Sequence, residues 1–232
     1  MKKHFQLPSK FHQKQFNRNL VSLPTFISED LPSGRVYHIE EKRYPSITTV
    51  LSVLSEKAIE KWKSKVGIKK STEITNKTSV GGSTLHEMTE SYLMCNEVQT
   101  TNIQFNVLKQ SLDKIDNIVA QEQTLCSNIY CVAGRVDCIA EYDGKLSVID
   151  FKTSLKPKRK EWITGYFIQT TFYAIAFEEM TGQKIDDLVI LMVTADGQLL
   201  VFEEKKENWI SQLAETIDLY NLYACFNTQN TI

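Results

Sequence analysis

The clearest alternation of apolar and polar positions runs from Cys131 to Ser154, CVAGRVDCIAEYDGKLSVIDFKTS, where two apolar, β-branched runs flank Asp143-Gly144. Asp-Gly between such runs is the strongest short-range signal for a two-residue hairpin turn. That turn fixes a register. With Tyr142 against Lys145, counting outward predicts Glu141 opposite Leu146, Ala140 opposite Ser147, Ile139 opposite Val148, Cys138 opposite Ile149 and Asp137 opposite Asp150. The strand from Leu146 to Lys152 is apolar on both faces until its acid, the pattern of a central strand covered by helices.

Around this hairpin the periodicity predicts further elements. Gly34 to Pro45 reads as a short hairpin or extended segment, and Ser46 to Lys65 as a helix with apolar positions at helical spacing. A polar connector, Lys69 to Ser79, leads to Gly81-Gly82-Ser83-Thr84, read as a helix entry with Thr84 and Glu87 as a capping box. That helix would run to Met94. A helix from Ile103 to Ala120 then precedes strands at Gln121 to Cys126 and Tyr130 to Glu141. Beyond the hairpin come a helix from Trp162 to Met180 closing at Thr181-Gly182, a second hairpin formed by Leu188 to Thr194 and Gln198 to Glu203, and an amphipathic helix from Trp209 to Cys225. The expected class is α/β (α+β), a mixed central β-sheet flanked by helices. The expected organisation is a basic, flexible tail over residues 1–30 and a single domain over 31–232. Within that domain we expect a helical part at 46–120, a catalytic core at 121–205 and a C-terminal helix at 207–225.

Composition narrows the class. The chain has 232 residues, 42% hydrophobic and 24% charged, enough for one domain with a sizeable core and too little for an added helicase motor. No apolar stretch approaches membrane-spanning length, so no membrane partner is expected, and nothing resembles a secretory signal. Five cysteines, odd in number and without C-x-x-C spacing, suit a reducing compartment with buried free thiols. The formal net charge of -1 does not announce a nucleic-acid binder, but its distribution is uneven. Lys2, Lys3, Lys10, Lys14 and Arg18 precede any acid, and Lys156, Lys158, Arg159 and Lys160 follow the hairpin. A basic strip there could track a phosphate backbone, although charge runs also simply solvate a face.

The candidate chemistry follows from the register. Directly opposed residues share a face with Cβ atoms about 5 Å apart, and Lys152 returns to the face of Asp150 two residues on. Two carboxylates and an ammonium therefore converge. Paired acids at a partly buried strand end repel unless a cation bridges them, and magnesium typically takes one or two carboxylates with phosphate oxygens. Such a centre beside a lysine suits phosphate-ester hydrolysis. The triplet alone proves little, since about one Asp-x-Lys is expected by chance at average composition. Asp143-Gly144-Lys145 is such a decoy, and Glu203-Glu204-Lys205 reads as a solvated strand end.

An ordered set of motifs goes further: Gly82-x-x-x-His86 with Glu90 and Tyr92, Glu122, Gly134-Arg-Val-Asp137, Val148-Ile-Asp150-Phe-Lys152-Thr153, and Gln169-x-x-x-Tyr173. It resembles the RecB-like branch of the PD-(D/E)xK nucleases, which have a restriction-endonuclease-like core, and is similar to compact members of mitochondria and phages that lack a fused helicase. The resemblance implies a magnesium or manganese centre held by Asp137, Asp150 and the backbone carbonyl of Phe151, with Lys152 in catalysis. It implies that His86 contacts a second metal or the phosphate and that Glu122 is a further ligand, a position an exposed strand-edge glutamate would also explain. Gln169, Tyr173 and Thr153 would face the DNA, with Lys156, Lys158, Arg159 and Lys160 on its backbone. Iron–sulfur relatives use three cysteines after Gln-x-x-x-Tyr; here only Cys225 follows, so no iron–sulfur cluster is expected. The implied activity is metal-dependent DNA exonuclease action on single-stranded or free ends, with a replication or recombination protein as a possible partner. A structure-specific endonuclease and an inactive DNA-binding accessory protein remain the alternatives. The implied setting is a bacterial or phage-infected cytoplasm, with the mitochondrion left open.

Overall fold

The structure, a computed structural model, describes residues 14–54 and 64–229. A small antiparallel sheet comes first, with β1 (Ile27–Leu31), β2 (Gly34–Ile39) and β3 (Lys42–Pro45) in that order. Ser46 then caps α1 (Ile47–Leu51), its hydroxyl accepting from the Thr49 N–H. Next come α2 (Ile68–Leu93) and α3 (Ile103–Leu112), followed by a five-stranded sheet ordered β4 (Ile115–Ser127), β5 (Val132–Tyr142), β6 (Lys145–Ser154), β7 (Asp187–Thr194) and β8 (Leu199–Lys205). Between β6 and β7 lies α4 (Thr164–Thr181), and α5 (Ile210–Gln229) follows β8. The sheet is mixed, because β6 and β7 are parallel and the other neighbours antiparallel.

The central hairpin has the expected register. Tyr142 pairs with Lys145 and the ladder continues to Cys138 with Ile149. Asp143 and Gly144 take left-handed conformations, φ 48° and 79°, as this turn requires. Both faces of β6 are covered. Val148 packs with Phe172 and Phe177 of α4 and Leu213 of α5, whereas Ile149 and Phe151 pack with Leu85 of α2 and Leu108 of α3.

Several boundaries differ from those expected, each for a local reason. The polar stretch 69–79 belongs to α2, and Gly81-Gly82 lies inside that helix, so Thr84 and Glu87 form no cap. The hydroxyls of Thr75, Thr84 and Thr89 bond back to carbonyls one turn earlier, so polar residues are accommodated without breaking the helix. Gly82 is where α2 approaches β6 closely: a Cβ there would stand 3.4 Å from Thr153 Oγ1. The helix expected to reach Ala120 ends at Leu112, and β4 begins at Ile115. A register irregularity between Asp116 and Ala120, with Asn117 at φ 45°, switches which residues of β4 point inward. Ile115 and Ile118 are both fully buried as a result, and their spacing of three imitates a helix in the sequence.

Of the helix expected over Ser46 to Lys65, α1 and a 3₁₀ turn at Ser52–Leu54 are formed, and residues 55–63 lie outside the described residues. Of the basic tail, residues 1–13 lie outside them, and the remainder is built into the fold. Phe16 is buried in the α2–α3 side of the core, and the Asn19 and Val21 N–H groups donate to the Ile118 and Val119 carbonyls of β4. Strand β1 was not expected. The C-terminal helix spans 210–229 rather than 207–225. The five cysteines are free, but Cys131 and Cys225 are exposed instead of buried. Among the described residues no helix is long and apolar enough to cross a membrane.

Candidate active site

The site lies where β5 and β6 part. Their ladder ends at Cys138 and Ile149, one pair short of Asp137 and Asp150, while β6 continues beside β7 through Ser154. Beyond that point the Asp137 side chain takes over from the strand: Oδ2 accepts from the Phe151 N–H at 2.9 Å. The expected opposition of Asp137 and Asp150 thus becomes a fork. Asp137 caps one strand and Asp150 turns to Lys152, whose Nζ donates to Asp150 Oδ1 at 2.7 Å.

Asp150 is nearly inaccessible, and its other oxygen, Oδ2, is buried with no hydrogen-bond partner among the described residues. Burial, with the Asp137 charge, pushes its carboxyl up to about 6 even though Lys152 acts in the opposite direction. For Lys152, burial works to lower the ammonium, but Asp150 and Asp137 together outweigh it and the net displacement is upward. Lys152 is therefore a cation here and not a free amine.

A second acid faces Asp137 from β4. The pairs Gln121 with Cys138 and Gln123 with Val136 bracket Glu122 across from Asp137, and Glu122 itself kinks out of the ladder at φ 51°. Arg135 holds Glu122 at 3.0 Å. Burial and the Asp137 charge nonetheless push the Glu122 carboxyl up to about 7. From α2, His86 Nε2 donates to the Phe151 carbonyl at 2.6 Å, and Nδ1 lies 3.7 Å from Asp137 Oδ2. That hydrogen bond uses Nε2 as the donor and leaves Nδ1 turned toward Asp137. His86, Glu122 and Asp137 bring ligand atoms within 4.8 Å of one another.

Gln169 and Tyr173 share the inner face of α4, with the Gln169 amide donating to the Tyr173 hydroxyl at 3.1 Å. The glycine of Gly134-Arg-Val-Asp137 makes room for them. A Cβ at Gly134 would lie 2.9 Å from both Ile47 and Tyr173. These groups line a cleft of about 410 Å³, walled on one side by Gly82, His86 and Glu90 of α2 and on the other by Arg35 and Tyr37 of the small sheet. Ser46 and Thr48 close it at the start of α1. These last four residues were not singled out from the sequence as site residues.

The basic segment after β6 is less uniform than its sequence. Lys156 and Arg159 are exposed, Lys158 donates to the Tyr166 hydroxyl at 3.2 Å, and Lys160 is paired with Glu204 of β8. Tyr166 also lies under Lys152, whose Nζ is 5.1 Å from its ring centre. Thr153 is partly buried behind Gly82.

Comparison with known proteins identifies the family. The family model for the PD-(D/E)XK nuclease superfamily matches residues 79–219, more than half of the chain and all of the fork. The chain belongs to that superfamily. Its mixed five-stranded sheet flanked by helices is the superfamily's fold. The chain is 33% identical over 147 residues to human mitochondrial genome maintenance exonuclease 1 and 29% identical over 134 residues to the mouse protein. These alignments take in 55% and 52% of the chain but 40% of either relative, so the chain matches about two fifths of their length. Among solved structures, a protein from Eubacterium rectale assigned as an exonuclease shares 12% identity at a TM-score of 0.47, covering 66% of this chain and 68% of its own. The alkaline exonuclease of Laribacter hongkongensis shares 9% at 0.32, covering 64% and 81%. Likenesses this low carry no weight beside the family match.

Superfamily nucleases depend on divalent metal, and this donor set fits one. Glu122 and Asp137 with His86 bring donors together for a hard cation, and Asp150 Oδ2, outside that group, is a buried carboxylate oxygen without a hydrogen-bond partner among the described residues. The Phe151 carbonyl keeps a lone pair beyond the one His86 engages.

Proposed function

We propose that this chain is a divalent-metal-dependent DNA exonuclease that hydrolyses phosphodiester bonds from single-stranded ends. The observation that carries this reading is the fork itself, where β5 and β6 separate to leave Asp150 Oδ2 unsatisfied beside Asp137 and the Lys152 ammonium. Asp137, Asp150 and the Phe151 carbonyl would hold magnesium or manganese, and Glu122 and His86 would be further ligands. When bound, the metal supplies Lewis acidity toward the phosphate and lowers the proton affinity of a coordinated water. Lys152, held as a cation by two aspartates, offsets charge developing on the phosphate and is not the base that takes the water's proton.

The remaining side chains orient the strand. Gln169 and Tyr173, locked together on α4, set the wall opposite His86, and Lys156, Lys158 and Arg159 continue the positive surface beyond Lys152. The names of the human and mouse relatives support the exonuclease reading, which we extend to this chain. The word mitochondrial in both names is consistent with the mitochondrial setting and does not speak for a bacterial or phage-infected cytoplasm.

The test compares one end-labelled single strand with its covalently closed circle, each with magnesium and with chelator at low salt. Metal-dependent loss of the linear strand with the circle intact is expected. A cut circle would replace the proposal with an endonuclease, and binding without cleavage of either would leave a DNA-binding accessory protein.

A further inference from the structure

The segment between β6 and α4 carries an aromatic side chain that the site does not use. Trp162 ends the short 3₁₀ turn Lys160–Trp162 and is 64% exposed, although indole is among the side chains that gain most from burial. Its two aromatic companions are committed elsewhere. Phe167 is fully buried and stacks on Trp209 at 4.9 Å, and Tyr166 contacts both Lys152 and Lys158. Trp162 touches a cation instead: the Arg159 guanidinium lies 5.5 Å from its ring centre. Lys152 and Lys158 thus meet on the Tyr166 ring, and Arg159, the next residue along the chain, lies over Trp162.

We propose that Trp162, with Arg159 beside it, is a stacking subsite for one unpaired nucleobase of a DNA strand whose backbone passes along Lys158 toward Lys152. The inference rests on the nuclease reading above and adds to it a residue that selects single strands. Every base has a π-face, so an exposed indole takes any sequence, but bases paired inside a duplex do not offer that face. Charge complementarity favours this occupant, since Arg159 lies over the ring and the same segment carries Lys158 and exposed Lys156. Lys160 is tied to Glu204 of β8, which anchors the turn that presents the indole and leaves Arg159 to the strand.

The test is a double-substitution cycle in calcium, where binding is read without turnover, on the full chain. Wild type, W162A and W162F are titrated with a fluorescein-labelled single strand, with duplex of the same sequence, and with strands carrying one abasic residue stepped along the sequence. W162A should weaken single-strand binding roughly tenfold and W162F far less, the range expected when one base–aromatic stack is lost. Duplex affinity should not change. One abasic position should cost wild type a similar factor and cost W162A nothing. Equal affinities of W162A and wild type for the single strand, with strand cleavage by wild type in magnesium, would overturn the stacking subsite and leave the nuclease reading intact. An abasic penalty persisting undiminished in W162A would also overturn it. Wild type that neither binds nor cleaves any DNA would overturn both. The exposed position of Trp162 and the W162F control separate loss of stacking from loss of fold.

Discussion

The two ends of the β5–β6 hairpin carry the same triplet, Asp-x-Lys, and meet opposite fates. At the turn, Asp143 pairs with Lys114 at 2.9 Å with side chains 55% and 49% exposed. At the fork, Asp150 pairs with Lys152 at 2.7 Å with side chains 2% and 20% exposed. Solvent screens the first pair, so it contributes little. The second is desolvated next to another carboxylate, and its unsatisfied oxygen costs free energy until a cation arrives. The difference lies in the neighbours. The turn end faces solvent, whereas the fork is roofed by α2 on one side and α4 on the other.

The comparison breaks first on Asp150→Ala or Asp137→Ala. Either change should lower metal-dependent strand cleavage on the order of 10³-fold or more, measured as initial rates on a labelled strand, because a ligand of the metal is removed. Lys152→Ala should follow with a loss of about 10²–10³-fold, the range seen when one donor to a transition-state charge is deleted. Its rate should not return at high pH, since the side chain acts as a cation.

Gly134→Ala sharpens the contrast from the α4 side. The added methyl would meet Tyr173 and Ile47 at 2.9 Å, and Tyr173 is buried with little room to retreat. Overpacking of this kind costs about 1–3 kcal/mol, and displacement of the Tyr173–Gln169 pair should slow cleavage roughly ten- to a hundredfold. A circular-dichroism melt beside the rate assay separates the two effects.

The fold was legible wherever local chemistry decided it. Asp143-Gly144 fixed the hairpin register through Cys138–Ile149, and Gly182, left-handed at φ 74°, closes α4 as its sequence indicates. The site was legible as a set of residues but not as a geometry. Asp137 was read as Asp150's opposite, yet its carboxylate instead caps the Phe151 N–H, because β6 follows β7 and leaves β5. That divergence is a property of the whole sheet and leaves no local trace. The same holds for Arg35 and Tyr37, which reach the cleft from a sheet formed by segments distant in sequence. In β4 the irregularity at Asn117 altered the inward-facing period and disguised a strand as a helix.

Asp150→Asn addresses stability rather than rate. Burial raises the Asp150 carboxyl from its ordinary value near 3.8 to about 6. A carboxyl raised by folding favours the fold while protonated, so that contribution is present below about pH 4 and lost as pH rises through 6. Removing the charge with asparagine should therefore raise the metal-free melting temperature at pH 8, by about 2–4 °C for each kcal/mol regained, while cleavage is abolished. Chelator should raise the melting point of this variant relative to wild type, and saturating magnesium should reverse the order. At the turn, Asp143→Asn keeps a residue that tolerates φ 48° and removes only a screened charge. Its melting temperature and cleavage rate should both match wild type.

The most direct measurement is manganese binding followed by electron paramagnetic resonance in wild type, Asp137→Asn, Asp150→Asn and Asp143→Asn. The account requires a high-affinity ion in wild type and in Asp143→Asn, and its loss or marked weakening in both fork variants. Undiminished manganese affinity in Asp150→Asn and Asp137→Asn, with their folds intact, would place the metal elsewhere and contradict the assignment of the fork.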